Sequence, residues 1–535
     1  MKNREKILNF IGFSLLLICF VFALYRVFTR QAEQRDPNII TISFAHWQLE
    51  SGIREAFQAI ADRYMEEFPH VRIRQIDIPE RVFPTWLTVQ LVGEQAPDLI
   101  QLGRGRFGLT EDRLARFFVP LTEWVEQPNP FNEGTHLEGV PWRETFVDGL
   151  TADPAFNEQL LEIYGIPNAL FTIRIFYNHD LWQEIFGDRP VPETLEEFIE
   201  VCEAVHTFSQ ESGQDIFPIA GSRYNAPQLL TDLFQSQTQT LALTGSPART
   251  LRGDQNEILL DILRGNRRVA DSPFREGFTL MSEVSQYMQP GFNQLGREDA
   301  SFRFLQGTML MIASGSWDAS SLHAEAPFQL GAFAIPFPTR EHPRFGQTVL
   351  GPTSERGLGT GAAFGLYRGS AHIEQTIHFL QYMTSLESAT LFGEISGWLP
   401  SVEGVEVPEM IQPFQPRLDG YPAGISLGGG PERNRIIDNY SHLLAARQVD
   451  RFLSEVDSRF PRAIRTDLTR TASNQLANVM RQDSTFVGYD LLRGHVTTEE
   501  LHRRLTDKMV EIAETQVGQE TLSYYLRHEL DLTDE

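Results

Sequence analysis

FRFLQGTMLMIASGSWDASSLHAEAPFQLGAFAIPFP, residues 302–338, is the stretch on which the reading of this 535-residue chain turns. It divides into a short helix, a glycine at Gly307, and a strand, Met309 to Ile312. A turn of small residues follows, Ala313-Ser314-Gly315-Ser316, then Trp317, Asp318 and a second helix. Gly331 to Ile335 forms another apolar strand, closed by Pro336-Phe337-Pro338. A strand apolar on both faces predicts a mostly parallel sheet covered by helices. Ligands of such sheets gather where strands end and helices begin. Trp317 stands at such a point. A bare tryptophan belongs more often to a core than to a site, but glycine and serine leave this ring little to pack against locally. Trp317, with Asp318 beside it, is therefore a candidate ligand contact.

Toward the N-terminus, Ile40 to Phe44 reads as a strand that leads into Ala45-His46-Trp47. Gly52 to Phe68 carries a helical stripe of Ile53, Ala56, Phe57, Ile60 and Tyr64, stopped by Pro69, and Val71 to Ile78 returns to alternation. This β-α-β opening predicts a parallel pair. Pro97 to Leu102 is the next strand. Further on, Ile175 to Asn178 ends in Tyr177-Asn178, and Thr194 with Glu197 makes a capping box ahead of a helix from Leu195 to His206. Phe217 to Ala220 is a short strand ending at Gly221-Ser222-Arg223-Tyr224, which makes Tyr224 a second stacking candidate, with a core role the alternative. Gln235 to Arg268 shows no clear periodicity and reads as a surface excursion with short helices. Beyond the opening stretch come a strand, Ala362 to Tyr367, a helix, Ile373 to Leu386, and Gly397-Trp398-Leu399-Pro400. From Asp438 the chain reads as mostly helical, and the segment from Gln516 to Glu535 has no evident role.

In order and spacing these pieces resemble the extracytoplasmic solute-binding proteins of carbohydrate ABC importers, the maltodextrin-binding-protein-like family. The glycine, the Met/Ile strand, the Gly-Ser-Trp turn and the strand ending in Ile335-Pro336 carry the resemblance, as do Glu66-Glu67-Phe68-Pro69 and the Pro97-Asp98 strand. It extends from about Ile40 to Glu514. The resemblance implies an α/β fold of two lobes, a periplasmic-binding-protein (Venus flytrap) architecture with hinge crossings. It places Arg106, followed by Phe107-Gly108, in a loop facing the solute, opposite Trp317. It puts Trp398 near the hinge, as a lesser contact candidate. Where the maltodextrin pattern has an aromatic, an aspartate and an acidic residue, this chain has Leu102, Gly105 and Phe171, which removes the residues by which maltodextrin would be inferred as its solute.

Two motifs point elsewhere and fail on context. Gly103-Arg104-Gly105-Arg106-Phe107-Gly108 spells the dinucleotide fingerprint, with Glu123 twenty residues on from Gly103. That acid should end a second strand, whereas Val119-Pro120-Leu121-Thr122 is short and bears a proline. Gly424-Ile425-Ser426-Leu427-Gly428 matches the nucleophile elbow of serine hydrolases. An elbow needs a strand before it and a helix after, and Pro422 and the run Gly428-Gly429-Gly430-Pro431 oppose both. No P-loop, zincin or EF-hand pattern occurs.

Composition bounds the rest. The net charge of −25 argues against a nucleic-acid partner. With only Cys19 and Cys202, neither a disulfide nor a cysteine metal site is expected. Ile7 to Tyr25 is uncharged and long enough, at about 28 Å, to cross a bilayer as a helix. Lys2, Arg4 and Lys6 before it predict a single-pass anchor with the binding domain on the extracytoplasmic side.

The expectation is thus an N-terminal transmembrane helix and linker over 1–37. One lobe comprises 38–165 plus about 333–380. The other comprises 166–332 plus about 381–535, the latter with a helical extension. The chain is expected to bind a sugar or oligosaccharide between the lobes and deliver it to a membrane permease, as a monomer, without cofactor or metal. His46, Trp47, Arg106, Tyr224, Trp317, Asp318 and Trp398 are the candidate solute contacts. A membrane-anchored carbohydrate-active enzyme is the alternative.

Overall fold

The computed structural model describes residues 39–532 except 51, 104–107, 153, 158–159, 161, 245–254 and 356–358. The chain opens as expected, with β1 (Ile40–His46), α1 (Ile53–Glu67), β2 (Val71–Asp77), α2 (Phe83–Val92) and β3 (Leu99–Leu102). Apolar residues at helical spacing put Ile53, Ala56, Phe57, Ile60 and Tyr64 of α1 in the core. β1 pairs in parallel with both β2 and β3.

Next come β4 (Ala169–Leu170), β5 (Ile173–Asn178), α3 (Leu195–Ser212), β6 (Phe217–Ala220) and α4 (Asn225–Gln237). The capping box at Thr194 and Glu197 is formed. α5 (Gln255–Leu263) overturns the expected surface excursion, because Ile258, Leu259, Leu260 and Ile262 are all buried. α6 (Phe274–Ser285) and α7 (Arg297–Leu305) lead into the quoted stretch.

There β7 (Met309–Gly315) is buried at every position, α8 (Ala319–Glu325) follows the turn, and β8 (Leu330–Ala334) returns. The sheet they form has the order β8-β5-β7-β6 and is mixed. β7 runs parallel to β6 and antiparallel to β5. A strand buried on both faces reports its two covers and not the direction of its neighbours, which is why the mostly parallel expectation fails.

The chain then crosses back through β9 (Thr360–Gly361) to β10 (Ala363–Leu366), which completes the first sheet in the order β10-β3-β1-β2. α9 (Ile373–Met383) and α10 (Leu386–Ser396) cover that sheet, and β11 (Leu399–Pro400) leaves it. β9, β4 and β11 form a small antiparallel ribbon, so three passages of the chain meet at one place. The remainder is helical: α11 (Pro431–Ala445), α12 (Val449–Arg493) and α13 (Glu499–Glu529). The segment after Gln516 is thus the second half of α13. Phe452, Phe460, Ile464 and Leu526 pack there on Ile258, Phe274 and Phe278, a third core built against α5 and α6.

The expected transmembrane helix requires correction. Among the described residues no helix is long and apolar enough to cross a membrane. The two longest, α12 and α13, are strewn with Arg, Asp and Glu. Ile7–Tyr25 and Cys19 lie outside the described residues. The single-pass anchor, and the cell-membrane location drawn from it, therefore have no structural support and are set aside.

Candidate functional site

β7 delivers the group that defines the site. Its last residue, Gly315, is a glycine for a steric reason: a Cβ there would lie 2.1–2.3 Å from atoms of the Trp317 ring. The indole folds back over the strand end and stays half-buried. Its neighbour is Phe171, edge-on at 5.2 Å between ring centroids. Phe171 meets Trp398 at 4.9 Å, again edge-on. The Trp398 indole N–H donates to the Trp317 backbone carbonyl at 3.2 Å. Phe171 also requires a glycine opposite, since a Cβ on Gly361 would stand 2.2 Å from its ring. The three rings therefore interlock where the chain passes between the two sheets, which fixes the angle of Trp317. Trp398 is only 1% exposed, so it backs the other two rings.

Asp318 sits beside this aromatic group and is nearly buried. Ser314 Oγ donates to one carboxylate oxygen at 2.5 Å, and the Arg297 guanidinium pairs with the other. Arg297, in the first turn of α7, also lies over the Tyr224 ring at 4.8 Å from its centroid. Burial pushes the Tyr224 phenol above its ordinary range, with Arg297 opposing and Asp318 adding to the shift. Tyr224, Trp317 and Asp318 are thus brought together by the ends of β6 and β7, with Arg297 joining them.

The fifth member comes from the first sheet. Glu50 lies in the loop between β1 and α1. Burial pushes its carboxyl up, hydrogen bonding to backbone N–H opposes, Asp318 adds to the shift and Arg297 offsets it. One oxygen, Oε2, is buried without a hydrogen-bond partner among the described residues. The loop is held from behind: Gly52 has φ +86, and a Cβ on it would meet the Ile395 carbonyl at 2.6 Å. A carboxyl from one sheet and an ion pair from the other therefore act on each other across the gap between them.

The remaining candidates lie elsewhere. His46 is wholly buried, against Phe57 at 5.3 Å, and its Nε2 hydrogen-bonds the Gln75 amide at 2.8 Å. Burial lowers its pKa to about 4, so the ring is neutral. Trp47 packs edge-on against Phe83 at 4.8 Å. Arg106 lies outside the described residues. Ser426 has no strand before it, and its Oγ accepts the Gly428 N–H at 3.1 Å, a local turn with no elbow geometry.

Sequence reading missed Glu50, Arg297 and the role of Phe171. Glu50 had a signal: it is a strand-end loop residue, where ligands of such sheets gather. Arg297 sits in no motif, and its proximity to Glu50 is purely tertiary.

Residues 115–413 match the family described as bacterial extracellular solute-binding protein, over more than half of the chain. The chain belongs to that family. No curated protein matches it. Among solved structures, apo RafE from Streptococcus pneumoniae is similar at a TM-score of 0.52 and 15% identity, over 80% of this chain and 98% of that one. RafE in complex with raffinose gives 0.51 and 16%, over 79% and 100%. The GacH receptor of Streptomyces glaucescens, solved unliganded and with acarbose, gives 0.52 and 16%, over 80% and 98%. At such identities the likeness establishes the fold. As a member of a solute-binding family, this extracellular binding protein captures a solute and is not an enzyme.

Proposed function

We propose that this binding protein takes up a carbohydrate between its two sheets and delivers it, as a monomer, to the membrane permease of an ABC importer. The observation that carries the reading is the group at the end of β7. A half-buried indole and a phenol ring stand beside a carboxylate–guanidinium pair, with the Glu50 carboxyl opposite. Rings of this kind cover the apolar face of a sugar, while fixed charged and polar groups bind its hydroxyls. Raffinose and acarbose, bound by the similar proteins named above, are sugars or sugar-like.

In this reading Trp317 and Tyr224 stack on the solute, Asp318 accepts from its hydroxyls, and Glu50 completes the contact when the lobes close. Arg106 is proposed to join from the loop after β3. His46, Trp47 and Trp398 are proposed to support the site from within the cores. The lobes are proposed as 38–165 with about 333–380, and 166–332 with about 381–535. The ribbon of β4, β9 and β11 supports placing the crossings at 169–170, 360–361 and 399–400. Closure around solute would present the loaded form to the permease.

The test is a thermal-shift screen of the full chain against mono- and oligosaccharides, with raffinose included. A ligand of micromolar affinity raises the melting temperature at millimolar concentration by mass action. A screen in which amino acids or peptides shift melting, and no sugar does, would overturn the carbohydrate reading.

A further inference from the structure

Beyond the Trp317 group, α4, α6, α11 and the Ser426–Gly429 loop line an open cavity of about 760 Å³. That volume is typical of a small-molecule site. One wall is α4 and α6, contributing Leu230, Phe234 and Phe278 to an apolar floor. The opposite wall is the Ser426–Gly429 loop and α11. Both parts of that second wall lie beyond residue 413, where the match to the solute-binding family ends. The cavity is therefore made by joining this chain's extension to its second lobe.

The loop is fixed from outside the cavity. Arg433 donates to the carbonyls of Leu427 and Gly428, at 3.0 Å each, and Gln255 donates to those of Ser426 and Gly428. Arg433 is itself held by Asp467, both being buried. Ser426 Oγ accepts the Gly428 N–H, which leaves its hydroxyl proton to donate. Asn434 Oδ1 accepts the Gly429 N–H at 3.0 Å, which leaves its amide nitrogen to donate. Charge is sparse: among the described lining residues only Arg223 and Asp438 are charged. Arg223 already donates to the backbone carbonyls of Asn293 and Gln294. Its sequence neighbour Tyr224 belongs to the Trp317 group, but none of Glu50, Tyr224, Arg297, Trp317 and Asp318 lines the cavity.

An apolar floor under a rim of neutral donors and acceptors suits a neutral molecule with one apolar part and several hydroxyls. We propose that this cavity is a second ligand site, distinct from the cleft, for a neutral glycoside, with its apolar group on Phe234 and Phe278 and its hydroxyls at Ser426 and Asn434.

The probe is 4-methylumbelliferyl β-glucoside, followed by fluorescence polarisation on the full chain. Its binding persists in Trp317→Ala, which damages the cleft. It weakens at least tenfold in Thr231→Trp, where an indole on the exposed rim of α4 fills the mouth. Asn434→Asp, an exposed substitution that keeps the oxygen accepting the Gly429 N–H and removes the amide donor, weakens it several-fold with little change in melting, and decides the matter if Thr231→Trp does not fold. Methylumbelliferone, which lacks the sugar, binds at least tenfold more weakly. No binding at about 10 mM probe, weaker than any useful affinity, would overturn the proposal. So would loss of binding in Trp317→Ala alone, or equal binding of methylumbelliferone. Raffinose binding in the cleft is untouched by Thr231→Trp, so failure here and failure of the cleft reading are separate results.

Discussion

β1 and β7 hold equivalent places, each an interior strand whose C-terminal end leads into a helix, yet their ends differ in what they offer. β1 ends in large residues that find partners at once: His46 lies on Phe57 and Trp47 on Phe83. β7 ends in Gly315 and Ser316, and the ring that follows has to pack on Phe171, which arrives from another passage of the chain. Topology says where a ligand can gather. The size of the local side chains decides whether room is left for it. The first strand end still contributes, but through Glu50, four residues farther along.

The comparison is broken most strongly at the tryptophans. Trp398→Ala should lower stability by roughly 3–5 kcal/mol, the cost of deleting a fully packed indole. Chemical denaturation checks this, and a loss below about 1 kcal/mol would show that Trp398 is not a structural ring.

A pH titration separates the two strand ends next. The folded-state pKa of His46 is lowered to about 4 from 6.5, so the unfolded chain binds the proton more readily. Its contribution to stability is complete above the unfolded value and is lost as pH falls through 6.5 toward 4. The full contribution is about 3 kcal/mol. Denaturation midpoints across that window should fall on acidification, and His46→Gln should flatten the fall.

Trp317→Ala should weaken sugar binding by about 2 kcal/mol, the scale of a dominant contact. Stability should change much less than for Trp398→Ala. Trp317→Phe should retain part of the affinity, because a flat apolar face remains.

The smallest effect belongs to Glu50. Its carboxyl is pushed up by burial, so ionisation works against the folded state. The protonated form favours folding most below the ordinary carboxylate value, and this advantage is lost as pH rises through the raised one. Glu50→Gln should therefore make the free protein slightly more stable at neutral pH, while weakening sugar binding several-fold. Melting curves and calorimetry on one preparation test both signs.

Much of this was legible in the chain. The strands starting at Ile40, Phe217 and Met309, and the box-capped helix after Thr194, follow from periodicity and caps, but β7 runs on through Ala313, Ser314 and Gly315, which read as a turn because they are small. What failed has identifiable causes. α5 reads as a short helix on the surface because Ile258, Leu259 and Leu260 are consecutive, a pattern that lacks the spacing of a one-faced helix and gives no sign of burial. Trp317 comes two residues after Gly315, where a strand gives way to a helix, and Trp398 directly after Gly397, where a helix gives way to a strand. Both rings pack on Phe171, which stands close to neither in sequence, and Trp398 also meets Phe392. The Glu50–Arg297 proximity joins residues far apart in the chain that belong to different sheets, and no local pattern reports it. Ile7–Tyr25 satisfied a length and hydropathy rule but lies outside the described residues, among which no helix meets the requirement for crossing a membrane.

The central claim, that the end of β7 is a sugar site, is tested most directly by titrating the full chain with raffinose and longer oligosaccharides while following intrinsic fluorescence and heat. Saturable binding with a spectral shift, weakened about 2 kcal/mol in Trp317→Ala at near-normal stability, is the predicted result. Normal affinity in Trp317→Ala, together with a collapse of stability like that of Trp398→Ala, would make Trp317 a core residue and contradict the account.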